Sequence, residues 1–215
     1  MQTEKHTDWI LTRSGKKAYP LEMDPEMVCL EDVAHALSMI CRWSGHCSQH
    51  YSVCQHVLLV AELVAIRHRS PTLTLLALHH DSHEAYLGDT ARPVKRYCRA
   101  SFGMSMAPWG QVEEQCQDAI NQALFPHLMW NEGNYALVKE ADDAFLYYEW
   151  QMLMPESAHG EAFEVHSAHA MSDHERTHIT QMLARVTNPY RTFIHMHNNL
   201  LAQIAKEHQN AIPKH

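Results

Sequence analysis

Apolar residues recur at three- and four-residue spacing along most of this chain, which is the period of amphipathic helices. Val33, Ala34, Leu37, Ile40 and Cys41 mark one such face. Ser52-x-x-Gln55 reads as a capping box that opens a helix through Val53, Val57, Val60 and Val64. Ser70 is a cap residue with proline at the first helical position, and Gly88 is the natural stop of the run it opens. The same signals predict helices over residues 111–124, over 134–153 up to Pro155, from a second capping box (Ser172-x-x-Glu175) to about 186, and from Asn188-Pro189 to 208. Residues 9–19 read as a small hairpin around Ser14-Gly15, and Pro20 and Pro25 keep the next stretch extended. Residues 89–110 and 155–171 read as loops. The expected fold class is all-α: a helical bundle with a small N-terminal β-hairpin, forming one domain over residues 1–215 with its core at about 30–155.

Polar groups interrupt these apolar faces at a few places. Leu78-His79-His80-Asp81-Ser82-His83-Glu84 crowds imidazoles and carboxylates into an otherwise apolar helical run. Burying such groups is costly unless they are paired or hold a metal. On a continuous helix His80 and Asp81 stand about 100° apart, with Glu84 between them one turn on. His56 shares a face with Val53, Leu59, Val60 and Leu63; Asp142 shares one with Val138, Ala141 and Phe145. A lone histidine on such a face is often a core residue bonded to backbone. Four such groups from three helices instead suggest a centre made of His56, His80, Asp81 and Asp142. Two imidazoles and two carboxylates without thiolate suit a divalent ion of the Mn, Co, Fe, Ni, Zn or Mg type. Glu84 is then a carboxylate beside the ion and not needed as a ligand. Asp143 falls on the face of Lys139 and Glu140 and reads as solvated or supporting.

Composition narrows the choice of partner. The net charge of -8 leaves no basic surplus for a long nucleic acid, though it does not exclude a single nucleotide. No apolar run is long enough to span a bilayer, and the polar Met1–His6 opening does not resemble a signal peptide. The six cysteines lack a CxxC pair and are expected reduced, in a cytoplasmic protein. Cys41, Cys47, His50 and Cys54 have the wrong spacing for a zinc ribbon. With 19 histidines in the chain, no single one carries an argument. Those at 159, 166, 169, 174, 178, 195, 197, 208 and 215 form no pattern.

Five ordered pieces carry a family resemblance: Arg42-Trp43, Gln55-His56, His80-Asp81-x-x-Glu84, Gly88-Asp89-x-x-x-Pro93-Val94-Lys95, and Leu137-Val138-Lys139-Glu140-Ala141-Asp142. Over about residues 30–155 they resemble the HD-domain metal phosphohydrolases, in particular bacterial and phage HD 5'-deoxynucleotidases and phage dATP triphosphohydrolases. The resemblance implies an HD-type helical bundle with His56, His80, Asp81 and Asp142 as metal ligands. Glu84 would be the acid/base residue, with Asp81 as the second catalytic carboxylate. Arg42 would hold phosphate, Trp43 would lie against sugar or base, and Asp89 and Lys95 would complete the nucleotide pocket. It further implies a deoxynucleotide substrate, adenine favoured in the phage type, and a homo-oligomer, dimer or hexamer. If the chain is phage-encoded, its compartment is the host cytoplasm. Two departures stand out: Gln55 occupies a position where the family often has Glu, and the tail after Pro155 has no counterpart in the pattern.

Read without the resemblance, Arg42 is either a bidentate phosphate ligand or a solvated helix-end residue. Trp43 is a stacking surface or core. Lys95-Arg96-x-x-Arg99 is positive lining or a solvated loop. Two other functions remain open: phosphodiesterase action on a cyclic nucleotide or RNA end, and a non-catalytic nucleotide sensor. Retention of all four ligands together with Glu84 argues against the sensor.

Overall fold

A computed structural model describes residues 8–102, 105–158 and 170–211. The N-terminal Met1–His6 stretch and His159, His166, His169 and His215 lie outside these residues. The described residues are mostly helical, with a short antiparallel hairpin near the start, so the chain is all-α in class. That hairpin pairs β1 (Ile10–Leu11) with β2 (Lys17–Ala18), and Gly15 takes the positive φ of 85° its turn requires. Asp32 clamps the turn by accepting from the Ser14 backbone N–H at 2.8 Å and from its hydroxyl at 2.6 Å.

The centre of the molecule is α2 (Val53–His68). Its capping box forms as the Ser52-x-x-Gln55 signature predicts, and ten of its residues are buried, on nearly every side. A helix apolar all round must be surrounded. Around it pack α1 (Leu30–Met39), α3 (Pro71–Leu78), α7 (Glu132–Leu153), α8 (Asp173–Arg185) and α9 (Pro189–Ala211). Between α1 and α2, Cys41 and Ser52 form an antiparallel bridge that pulls the Arg42–Tyr51 loop against the core.

The tail is an integral part of the bundle. The α8 cap box is present at Ser172, and the helix is tied to α2 by Arg67 donating to Glu175 at 2.7 Å and by His178 against Glu62 at 2.7 Å. The α9 helix lies along α1 and α3 and buries Phe193, His197, Leu200 and Ile204.

Two expectations are corrected. The run from Pro71 towards Gly88 is not one helix: α3 ends at Leu78, turns occupy residues 79–83, and α4 (Glu84–Leu87) resumes. The cause is chemical. His79 finds its partners sideways, Nδ1 on Ser82 Oγ at 2.9 Å and Nε2 on His197 Nδ1 at 2.9 Å, and the backbone tightens to three-residue bonds such as Ser82 N to His79 O. Residues 89–110 are not a plain loop either. They hold α5 (Arg92–Lys95) and a second hairpin, β3 (Arg99–Phe102) with β4 (Ser105–Pro108), before α6 (Trp109–Leu124).

Candidate metal centre

The break after α3 brings the predicted residues together. Because residues 79–83 turn, the side chains of His80 and Asp81 do not diverge around a helix axis. Both face His56 on α2 and Asp142 on α7. His56 Nε2 lies 3.2 Å from Asp142 Oδ1 and 3.6 Å from Asp81 Oδ2. His80 Nε2 lies 3.4 Å from Asp81 Oδ2 and 3.9 Å from Asp142 Oδ1.

The outer nitrogens settle the tautomers. His56 Nδ1 sits 2.8 Å from Glu149 Oε1, and His80 Nδ1 sits 2.7 Å from the Ala77 carbonyl. Both oxygens are acceptors, so each neutral imidazole carries its proton on Nδ1. Each Nε2 is then a bare lone pair, buried and without a hydrogen bond. Two lone pairs facing two carboxylates repel unless a positive charge stands among them. His56, His80 and Asp142 could therefore hold a divalent ion, with Asp81 beside them in a second such group with His83 and Glu84, and an Nδ1–H held by carboxylate or backbone is the usual outer support of a metal-bound histidine.

The titration behaviour has the same origin. Burial and Arg42 oppose a proton on His56, but Glu149 and Asp142 overcome them and raise its pKa to about 9. Burial alone would raise Asp142; His56 and His80 outweigh it and hold the carboxyl far below the usual range. Asp81 behaves alike, held down by His80, His56 and His83 against burial.

Glu84 opens α4 beside this cluster and is 3% exposed. Burial, Asp81 and Asp89 push its pKa well above the ordinary carboxyl value, against Arg42 and Lys95. Its Oε2 has no hydrogen-bond partner, and Lys95 Nζ stands 3.7 Å from Oε1. Lys95 is pinned more closely by Glu113 at 2.7 Å. Asp143 lies outside the cluster, salt-bridged to Lys139 at 2.5 Å and near Arg92 at 3.6 Å.

Arg42 lies behind the centre as much as in it. Its Nε and Nη2 grip Glu149 Oε2 at 3.2 and 3.0 Å, and Nη1 points to Asp81 at 3.8 Å. Trp43 and Ser44 hold left-handed backbone angles, φ 58° and 50°. Such strain persists only where surroundings impose it; here the Trp43 N–H is clamped by Asp89 Oδ2 at 3.1 Å. The Trp43 ring rests on Trp150, 5.6 Å between centroids, and still faces the cavity. Asp89 thus fixes the Trp43 loop. All nine predicted residues except His56 line one cavity of about 910 Å³, a volume suited to a small organic ligand.

Sequence reasoning missed Glu149, Glu113 and Gln117. Glu149 had a signal: it follows Asp142 by seven residues, hence on the same helical face, inside the apolar run Phe145 to Leu153. Glu113 and Gln117, on α6, had none. The thiols do not join the centre. Cys41 and Cys47 face each other at 3.5 Å, and burial pushes Cys54 up to about 12. No helix among the described residues is long and apolar enough to cross a membrane.

No protein-family model matches the chain. It is similar to the uncharacterized protein YfdR of Escherichia coli K12, 40% identical over 88 residues, which is 41% of this chain and 47% of that protein. It is also similar to the uncharacterized protein RCAP_rcc00048 of Rhodobacter capsulatus, 39% identical over 93 residues, 40% of this chain and 46% of the relative. The matches thus span about half the length of these curated relatives.

Proposed function

We propose that this protein is a divalent-metal-dependent phosphohydrolase of the HD type, acting on deoxynucleotides. The observation that carries the reading is the pair of orphaned Nε2 atoms of His56 and His80, aimed at Asp81 and Asp142 beside a nucleotide-sized cavity. His56, His80, Asp81 and Asp142 would hold the ion. When bound, such an ion neutralises phosphate oxygens and lowers the pKa of a nearby water.

The protein's own groups supply the rest. Glu84, whose environment favours its protonated form, can hold a proton on a carboxyl oxygen and pass it to or from the reacting phosphate. Lys95 and the Nη1 edge of Arg42 offer positive charge on the same wall. Trp43 lines the same cavity. A close sugar pocket under that indole gives a physical ground for deoxyribose: an added 2'-hydroxyl is either excluded or left unpaired.

The size of the cavity supports a triphosphate substrate, with 5'-monophosphatase action as the alternative. The decisive experiment loads the protein with Mn, Co or Mg and supplies each dNTP, dNMP and rNTP. Triphosphate release from dNTPs is expected. Phosphate from dNMPs alone would move the protein to the nucleotidase branch. Equal turnover of ATP and dATP would refute the deoxy preference, and no release from any nucleotide would leave a binding module.

A further inference from the structure

On the α6 side of the cavity, the amides of Gln117 and Asn121 stand beside the carboxylates of Glu113, Glu114 and Asp118. Gln117 and Asn121 from α6 meet Trp130, which precedes α7, and Trp130 meets Tyr135 edge to face at 6.2 Å. Asp118 and Glu114 stand at the rim of this region and disfavour phosphate there. Lys139, one turn beyond Tyr135, is salt-bridged to Asp142 and Asp143. A flat, uncharged heterocycle is the group such a wall can accept.

Its hydrogen-bonding sense is fixed from the backbone. The His83 N–H donates to Gln117 Oε1 at 3.0 Å, and His83 Nδ1 lies 3.2 Å from the same oxygen. A backbone N–H cannot reverse its role, so Gln117 must turn Nε2 outward. That nitrogen donates to Asn121 Oδ1 at 2.8 Å. Asn121 then presents its own NH₂ beside Trp130 Nε1. With the Asn121 amide turned over, its oxygen accepts from Trp130 at 3.1 Å, and its nitrogen donates to the Gln117 backbone carbonyl at 3.3 Å while lying 2.8 Å from Gln117 Nε2. In either orientation the Asn121 oxygen reaches only one of its two donor neighbours, so an N–H of Trp130 or of Gln117 is left over. Asn121 is only 8% exposed, so water reaches it poorly.

We propose that Gln117, Asn121 and Trp130 form the base-reading wall of the nucleotide site, and that they read with donors, selecting a base edge made of acceptors. This rests on the nucleotide reading above and deepens it. Guanine offers N7 and O6 and thymine offers O4; adenine and cytosine carry amino donors at the corresponding positions. Oxo bases are therefore preferred over amino bases, whereas the phage-type resemblance implies adenine.

The test measures KM and kcat of the metal-loaded full chain for the four deoxynucleotides, with equilibrium dialysis of the same nucleotides in parallel. The native protein should favour dG and dT nucleotides over dA and dC by about threefold to tenfold, the scale of one neutral hydrogen bond. Asn121→Asp, which presents acceptors, should reverse that order. If it fails to fold, Trp130→Phe decides, because it keeps an aromatic ring and removes the Nε1–H donor; it should shrink the ratio. Metal content serves as the control for both. An adenine preference, equal use of all bases, or an unchanged ratio in Trp130→Phe would each overturn the proposal. Binding with the expected ratio but no hydrolysis would support the wall and overturn only the catalytic reading. No binding of any nucleotide would overturn both.

Discussion

Glu149 divides its carboxylate between two groups on opposite sides: Oε1 faces His56 Nδ1 at 2.8 Å and Oε2 accepts from Arg42 at 3.0 Å. All three residues are buried, so one side chain orients a candidate ligand and neutralises a buried cation.

Glu149→Ala should therefore act twice. Metal affinity should fall about 10–100-fold, the usual effect of losing the outer partner of a metal-bound histidine. Folding stability should fall by about 3–5 kcal/mol, because Arg42 stays buried without its carboxylate. Calorimetric metal titration and urea denaturation measure the two effects separately. A variant with native affinity would place Glu149 outside the centre.

One divalent ion per chain is expected. His80→Ala or Asp81→Ala should abolish metal binding and activity together, while circular dichroism shows helix content largely kept. Elemental analysis of the purified variants checks this. A fully active protein free of metal would refute the centre.

Glu84→Ala should keep the ion and lose activity by about 10²–10⁴-fold, as removal of a general acid/base does. Loss of the ion in this variant would make Glu84 a ligand instead.

His56 links the centre to stability. Its pKa rises from 6.5 to about 9 on folding without an ion, so the folded state binds the proton more tightly. That contribution, about 3 kcal/mol at the scale of 1.4 per pKa unit, is fully present below pH 6.5 and is lost as pH rises through 9. A divalent ion held by His56 would compete with that proton and remove the titration. Denaturation from pH 6.5 to 9 should thus show a decline in chelator that metal abolishes. A flat profile in chelator contradicts the protonation account.

His197 has the opposite sign. Burial lowers its pKa to about 4, only partly countered by Glu31, so the unfolded chain binds the proton more tightly. Its contribution is present above about pH 6.5 and is lost as pH falls towards 4, amounting to about 2–3 kcal/mol. His197→Gln should flatten the melting-temperature profile between pH 6.5 and 4. An unchanged acid limb would assign the loss to other groups.

Much of this was legible in the chain because burial of polar groups leaves a mark. His56 and Asp142 stand on apolar helical faces, and His80 and Asp81 interrupt an apolar run; the structure puts all four within reach of each other. The capping boxes at Ser52 and Ser172 form as written. What failed was geometry that depends on distant partners. Helical periodicity continues through His79, but His197, over a hundred residues later, draws that imidazole sideways and breaks the helix. The β3–β4 hairpin was hidden for a simpler reason: Arg-Ala-Ser-Phe and Ser-Met-Ala-Pro contain few β-branched or aromatic residues, so neither strand announces itself. Neither sequence reading of Arg42, phosphate ligand or solvated helix end, includes its buried pairing, since nothing local reveals Glu149 as its partner.

The bond between His79 and His197 also sets an order of events during synthesis. Residues up to Asp142 leave the ribosome well before α9 exists, so the turn bearing His80 and Asp81 emerges without the imidazole that bends it. Until residues 189–211 have been added and have docked along α1 and α3, His79 has Ser82 and the Phe125 ring but not His197 to hold it. A nascent chain can thus assemble α2 and α3 early, yet the candidate metal centre matures late, with the helix made last.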